Sequence, residues 1–555
     1  MHRSLFDPQT GATDAGARPS RPAHRWTEDP VACRAPAGGT DLASAAAPQV
    51  GTPTFAAMLE RGIHTLLAIT LAVAHLIAQD APKRTINVRI TGAAGDTVYL
   101  ANYYGNKLFY SDTAVADAQG LAVFKAARGY KAGVYAVVVP GPRYFEMIVN
   151  EPVVSLATDT ADLLAHLQVL GSRENAVFID YIRFLGERKQ EADALRAQSN
   201  SAADPMARSA IKARMEELDK AVKDRQHALV ADNPGTFAAS LVRMGMPVER
   251  PEPRKPDGTL DSTAAYYEYR ARFWDHFDLK DERIVRAPIF ANKLEEYIGK
   301  VVPQVPDTIN RLADELIART GGTGEVFKYV THSITHRYET SEIMGMDAVF
   351  VHMALTYYCP APGKASRADW MTDEQLEKLC TRARKTAPLT LGRKAPNLIL
   401  PDSTEQRWVN MHDLPQEFVL IVFWDPHCGV CKKELPEIHK VYKAALKDLG
   451  VEVLAVAKAV DDGLMRDWKK FIRENGLDWV NVALTKNVYE EAKKDARKFI
   501  PALTTLESLN YSETYDVYST PKIFLVDGDR KFVGKQLGPE QVEDLVRRLR
   551  ARPSK

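Results

Sequence analysis

Between residues 80 and about 170, apolar and polar positions alternate in short runs. Examples are TINVRITG (85–92), DTVYLANYYG (96–105), AVFKAARGYKAGVYAVVVPG (122–141) and YFEMIVN (144–150). A period of two, rich in Val, Tyr and Phe and punctuated by Gly95, Gly120, Gly133 and Gly141, predicts strands joined by turns. The segment 80–170 therefore reads as a small antiparallel, sandwich-like β domain. Tyr103, Tyr104 and Tyr110 suit a ligand surface, but strand aromatics more commonly pack, and packing is the reading taken here.

From Ser172 the period lengthens to 3.6. NAVFIDYIRFLGERKQEADALRA (175–197) and ARSAIKARMEELDKAVKDRQHALV (207–230) place apolar residues at helical spacing among charges. PVERPEPRKPDG (247–258) interrupts as loop, and helical runs resume to about Lys385, so residues 171–386 read as a helical domain without a regular repeat. His332 and His336 stand at i, i+4, followed by Glu339, Glu342, Asp347 and His352. The HExxH glutamate is missing and no third ligand has a fixed spacing, so a packed helix face is the better account than a metal site. Cys359 and Cys380 are either a disulfide or two buried thiols, and spacing does not decide between them.

After residue 386 strands alternate with helices. FVLIVFW (418–424), VEVLAVAK (451–458) and WVNVAL (479–484) read as strands, with helices at 431–450 and 463–476. PKIFLVDGD (521–529) and KFVGKQL (531–537) read as a closing hairpin before a terminal helix at 539–550. Residues 387–555 are thus an α/β domain, a central sheet covered by helices.

The 555 residues suit several domains. Lys and Arg number 73 against 72 Asp and Glu, a net charge of +1, so no overall field gathers nucleic acid. Residues 1–57 contain no Lys, Ile, Asn or Tyr, and suggest either translated upstream DNA before a start at Met58 or a disordered Ala/Pro-rich leader. From Met58, a basic Arg61, an apolar run Leu66–Ala74 and a small-residue cleavage neighbourhood near Ala78 read as a cleaved signal peptide over 58–79. That run is shorter than the roughly 20 residues a spanning helix needs, so a mature chain without a membrane span is expected in the periplasm or cell envelope. Such an oxidising compartment lets a CxxC pair cycle between dithiol and disulfide.

The chain's five cysteines include one CxxC pair, Cys428 and Cys431, in FWDPHCGVCKKELP (423–436). The strand that ends at Trp424 gives way to a helix there. Unpaired N–H groups and the positive dipole end stabilise a thiolate at Cys428. Cys431, one turn further in, is placed to resolve a mixed disulfide. A zinc site needs two further ligands at suitable spacing, and these are not evident.

These residues carry a resemblance. PNLILPDSTEQ (396–406), VLIVFWDPHCGVCKKELP (419–436) and YSTPKIFLVDGDRKFVGKQL (518–537) resemble the thioredoxin-like thiol-disulfide oxidoreductases of the TlpA and ResA type. FWDHFDLKDERIVRAP (273–288) and YETSEIMGMDAVFVHMALTYY (338–358) resemble the helical domain fused to such modules in Bacteroidota envelope proteins. The resemblance implies Cys428 as attacking thiol, Cys431 as resolving thiol and Pro521 as a cis-proline facing them. Glu434 takes the family's acidic position: as a buried carboxylate it accepts the proton of Cys431, and as a solvated one it does not. Trp424, His427, Thr520 and Pro436 are the supporting neighbours. His427 replaces a residue that is tryptophan in many relatives, and the segment 488–513 lengthens the connection into the strand after Pro521.

The implied activity is exchange of disulfides with cysteines of envelope proteins, in the reducing direction, recharged by an upstream membrane thiol reductant. Neither an organic cofactor nor a metal is expected. An oxidase or isomerase of the same fold, and an envelope scaffold with a regulatory redox module, are the alternatives. A thiol peroxidase would need a peroxide-activating Thr and Arg, and the motif does not show them.

Overall fold

The computed structural model describes residues 82–141, 143–201, 204–361 and 364–551. The expected leader (1–57) and signal peptide (58–79) lie outside the described residues. These residues divide into two compact units, 82–103 with 108–239 and 104–107 with 240–551.

In the first unit, β1 (Thr85–Thr91), β2 (Thr97–Tyr104), β3 (Lys107–Val115), β4 (Leu121–Phe124), β5 (Gly133–Val139), β6 (Arg143–Val149), β7 (Val153–Asp159) and β8 (Gln168–Gly171) form two four-stranded sheets. Their orders are β4-β1-β7-β8 and β3-β2-β5-β6. The pairs β1–β4, β2–β5, β5–β6 and β7–β8 are antiparallel, as alternation and short turns predict. β1 and β7 run parallel, with Ile86 opposite Val154; strands that distant in sequence meet without a hairpin to set their direction. β5 is buried along its whole length, whereas the edge strand β3 is largely exposed. Packing accounts for Tyr103, which is buried and donates to Glu146 Oε1 at 2.6 Å, but not for Tyr110, which is 70% exposed.

Two long helices follow, α1 (Arg173–Ser201) and α2 (Pro205–Asp232), and both fall in this first unit. Asp204 caps α2 by accepting from the N–H groups of Met206 and Ala207, and Pro205 fits the first turn, where its missing N–H leaves no gap. Asn175, fully buried, accepts from Ile148 N and donates to Ile148 O, both at 2.8 Å. Its amide thus supplies the edge of β6 with the two bonds that a neighbouring strand would give.

Helix α3 (Phe237–Met244) spans the boundary, and the second unit continues with α4 (Ser262–Arg272), α5 (Pro288–Glu296), α6 (Pro306–Arg319), α7 (Gly324–Glu339), α8 (Asp347–Met353) and α9 (Asp373–Thr386). In α6 the buried residues Ile309, Leu312, Ala313, Leu316 and Ile317 follow the helical repeat. Phe273, Trp274, Phe277, Phe290 and Tyr297 form a contiguous aromatic cluster. A capping box between Thr372 and Gln375 starts α9. Within it Cys380, buried, is bonded to Cys359 with Cα atoms 5.6 Å apart, so the two cysteines left open by spacing form a disulfide. The rings of His332 and His336 stack with centroids 5.9 Å apart, and among the described residues no group of His, Cys, Asp and Glu is placed to hold a metal.

The remaining elements are β9 (Ile399–Pro401), β10 (Trp408–Asn410), β11 (Phe418–Trp424), α10 (Gly429–Val441), β12 (Val451–Ala459), α11 (Asp462–Asn475), β13 (Val480–Thr485), α12 (Lys486–Asp495), α13 (Leu506–Leu509), α14 (Tyr511–Thr514), β14 (Lys522–Val526), β15 (Phe532–Lys535) and α15 (Pro539–Arg550). The main sheet has the order β13-β12-β11-β14-β15; β11, β12 and β13 are parallel, and β14 and β15 antiparallel. β11 is buried on both faces, which explains its unbroken apolar run. Leu420, Val422 and Trp424 point into one core with Cys431, Leu435, Trp468 and Val546. Val419, Ile421 and Phe423 point into the other, which residues Val488, Tyr511 and Tyr515 complete. The long connection 488–513 is therefore largely the cover of the second face. The fold class is the one expected: β sheets, a central helical region and a C-terminal thioredoxin-like α/β domain. Among the described residues no helix is long and apolar enough to cross a membrane.

Candidate functional site

Strand β11 ends at Trp424, and an Asp turn carries the chain into α10. The Asp425 side chain accepts from His427 N at 2.8 Å and its carbonyl from Cys428 N at 2.9 Å. Such a turn is what an aspartate at this position builds by bonding its own backbone two residues on. It leaves Cys428 as the N-cap of α10, with extended backbone angles (φ −75°, ψ 115°), and its sulfur accepts from the N–H of Cys431 at 3.3 Å. The Cys428 thiol in turn lies 3.3 Å from the carbonyl oxygen of Thr520, to which it donates. The Thr520–Pro521 peptide bond is cis.

The two sulfurs differ in environment. Cys428 is half-buried and Cys431 fully buried. Burial alone would push the Cys428 thiol up, but hydrogen bonds from the Cys431 thiol, the Cys431 backbone and the Thr520 side chain outweigh it and leave the pKa below the usual thiol range. Cys431 is pushed up to about 12, by burial first and by its hydrogen bond to Cys428 second. One thiol is thus easily ionised and reachable. The other is protonated and enclosed.

Among the supporting positions, Trp424 is buried beneath the turn and packs on Phe471, ring centroids 5.2 Å apart. Pro436 sits inside α10 and withholds an N–H from the preceding turn. His427 is exposed, and its Nε2 meets Asp467 of α11 at 2.9 Å. Glu434 is exposed on α10, so the burial on which a proton-accepting role depended is absent, although it stands three residues after Cys431 and four before Ile438. The sequence signal there was an acidic residue at the right spacing, and spacing does not tell whether its carboxylate is enclosed.

Three further residues reach the site from places that sequence did not single out. Lys458 on β12 stands 3.9 Å from Asp425. Tyr511 of α14 stacks on Phe423 at 5.5 Å, and burial, then the charge of Asp425, holds its phenol well above the usual range. Asp467 is the partner of His427. None of the three carries a signal beside the cysteines; Asp425, which Lys458 and Tyr511 approach, does, in its Asp-Pro step.

Comparison with known proteins falls on this part of the chain. The AhpC/TSA family matches residues 391–533. The thiol-disulfide oxidoreductase ResA of Bacillus thuringiensis (strain Al Hakam) is 29% identical over 157 residues, 28% of this chain and 75% of its own. The ResA of Bacillus subtilis (strain 168) is 40% identical over 65 residues, 12% of this chain and 35% of its own. Among solved structures, the thioredoxin domain of a Bacteroides vulgatus thiol-disulfide oxidoreductase is 28% identical, with a TM-score of 0.23, over 29% of this chain and 97% of that one. A thioredoxin-like protein from Bacteroides caccae covers 54% of this chain and 99% of its own at 15% identity and a TM-score of 0.37. The C-terminal part of the chain thus carries an AhpC/TSA thioredoxin-like domain and is similar to the ResA thiol-disulfide oxidoreductases.

Proposed function

We propose that the protein is an extracytoplasmic reductant of protein disulfides in the cell envelope, with Cys428 as nucleophile and Cys431 as resolving thiol. The observation that carries this reading is the contrast between the two sulfurs, one acidic and accessible, the other buried and protonated. The Cys428 thiolate attacks one sulfur of a substrate disulfide; that S–S bond breaks, a mixed disulfide forms, and the released substrate thiolate takes a proton from water. Cys431 then loses its proton and attacks Cys428 Sγ, expelling the second substrate thiol and closing the Cys428–Cys431 disulfide. Two electrons have passed to the substrate, and a dithiol donor must return them.

Thr520 and Pro521 face the nucleophile and border the path of the incoming chain, while Trp424 and Pro436 hold the turn and helix that present it. The reducing direction is favoured by the high pKa of Cys431: a pair that gains only one stabilised thiolate has a less stabilised reduced form. The signal-peptide pattern at 58–79 and the Cys359–Cys380 disulfide both suit an oxidising compartment.

A redox titration of the pair tests the direction. A potential nearer to about −270 mV than to about −120 mV fits a reductant, and the opposite result makes the protein an oxidase. Replacing Cys431 by Ser should trap thiol-sensitive adducts with envelope proteins, since attack survives and resolution is lost; an absence of adducts removes the exchange reading.

A further inference from the structure

The segment Glu513–Pro521 carries the carbonyl that touches Cys428, and it is held from several sides. Tyr515 is buried at its start, in contact with Phe423, Phe524 and Phe532. Lys522, just beyond Pro521, donates to the Asp516 carbonyl and lies 3.2 Å from Asp516 Oδ2, where the chain turns through φ 52°. The third hold comes from the helical region. Lys385, in the last turn of α9, donates to Glu513 Oε2 at 2.5 Å and to the hydroxyl of Tyr518, and its ammonium sits 5.2 Å from the centroid of the Tyr518 ring.

Helix α9 is itself firmly placed. The disulfide from Cys380 ties it to Cys359, and Arg382 binds Glu339 of α7 at 2.8 Å. Lys385 is therefore a fixed point. Tyr518 nevertheless leaves 68% of its surface exposed, an unusual state for a ring pinned at its hydroxyl, and Val430, between the two cysteines, is 54% exposed. Only Ser519 separates Tyr518 from Thr520, so their Cα atoms lie within about 7 Å of each other, and it is the Thr520 carbonyl that meets the sulfur of Cys428.

We infer that Lys385 is a positioning residue for the redox site, holding Tyr518 as a fixed apolar wall against which an extended polypeptide segment lies while its cystine meets Cys428. The inference rests on the exchange reading above. The helical region thereby contributes to selection of protein substrates without touching the reacting sulfurs. A ring held at its hydroxyl loses little freedom when a chain packs on it, so the contact is made at low entropic cost. An unanchored tyrosine at the same position would have to be ordered by each substrate.

The test is steady-state reduction of insulin by the mature protein with a dithiol donor. Lys385→Met is expected to raise KM about two- to fivefold with kcat unchanged, the range for losing an exposed ionic contact, and Lys385→Arg to restore it. The pH profile of Cys428 alkylation should not move in either variant, which separates loss of the wall from a disturbed nucleophile. Tyr518→Phe, which keeps the ring and loses the anchor, should raise KM by the same factor, and the double variant by no more than either single change. Lys378→Met, on the exposed face of the same helix where Lys378 pairs with Glu374, is the control for charge. If wild-type protein fails to reduce insulin, the exchange reading falls. If it succeeds and Lys385→Met or Tyr518→Phe has the wild-type KM, or the two changes multiply, the inference is overturned.

Discussion

The sulfur of Cys428 and the carbonyl oxygen of Thr520 lie 3.3 Å apart, on segments that are 92 residues distant in sequence. A carbonyl accepts only from a protonated thiol, so this contact belongs to the resting thiol form. When Cys428 ionises, that acceptor is lost, and the Cys431 thiol, the Cys431 N–H and the Thr520 side chain remain to hold the thiolate. The site thus exchanges one partner for another as it becomes nucleophilic.

The rate of iodoacetamide alkylation of Cys428 should rise with pH through a pKa below the ordinary thiol value, while Cys431 stays unreactive until near pH 12. The Cys431 thiol is the strongest of the donors that offset burial at Cys428. Cys431→Ala should therefore displace the Cys428 profile toward alkaline pH, and Cys431→Ser, which retains a hydroxyl donor, should displace it less. Mass spectrometry of singly labelled protein reads both.

Glu434→Gln should leave that alkylation profile superimposable on the wild-type one. The carboxylate is exposed and lies beyond the first turn of α10, where a dipole interaction of about 0.3–1 kcal/mol at the terminus has largely decayed. A profile that lost a titration step would show that Glu434 and the cysteines ionise together.

Asn175→Leu should destabilise the first unit by roughly 2–5 kcal/mol, because it strands a buried N–H and a buried carbonyl of Ile148. Urea unfolding followed by far-ultraviolet circular dichroism measures the loss. A change under about 0.5 kcal/mol would mean that water reaches the edge of β6.

Glu146 in β6 is buried, and desolvation holds its carboxyl above the usual range despite the hydrogen bond from Tyr103. The native state therefore binds this proton more tightly than the unfolded chain, and stability falls as pH rises from the unfolded pKa through the folded one. Glu146→Gln cannot ionise, so it should match wild type at acidic pH and exceed it near neutrality, by on the order of 1 kcal/mol or more. Denaturation midpoints from pH 4 to 8 give the comparison, and parallel curves would refute it.

The C-terminal strands and helices were legible because each has one dominant period. FVLIVFW is apolar without interruption because β11 is covered on both faces, and α6 shows its repeat because one face is buried. The cysteine pair was legible because both thiols and the turn that places them lie within a few residues. Contacts between distant segments left no such mark: the parallel pairing of β1 with β7, the Cys359–Cys380 bond, the His427–Asp467 pair and the approach of Tyr511 to Asp425. Glu434 shows the opposite error, a correct spacing whose side chain turns outward. The connection 488–513 read only as a lengthened loop because its apolar residues are scattered among charges, yet Val488, Tyr511 and neighbours close the second core.

The disulfide in the helical region places two opposite demands on one chain. If the pair serves as the proposed reductant, Cys359 and Cys380 stay joined while Cys428 and Cys431 are returned to the thiol form by a donor able to attack either bond. Each couple has one enclosed member, Cys380 at 2% exposure and Cys431 at 0%, but only Cys428 stands at a helix start. On the reading proposed above, maturation is therefore a matter of order in time, the Cys359–Cys380 oxidation being completed before the second couple begins to pass electrons.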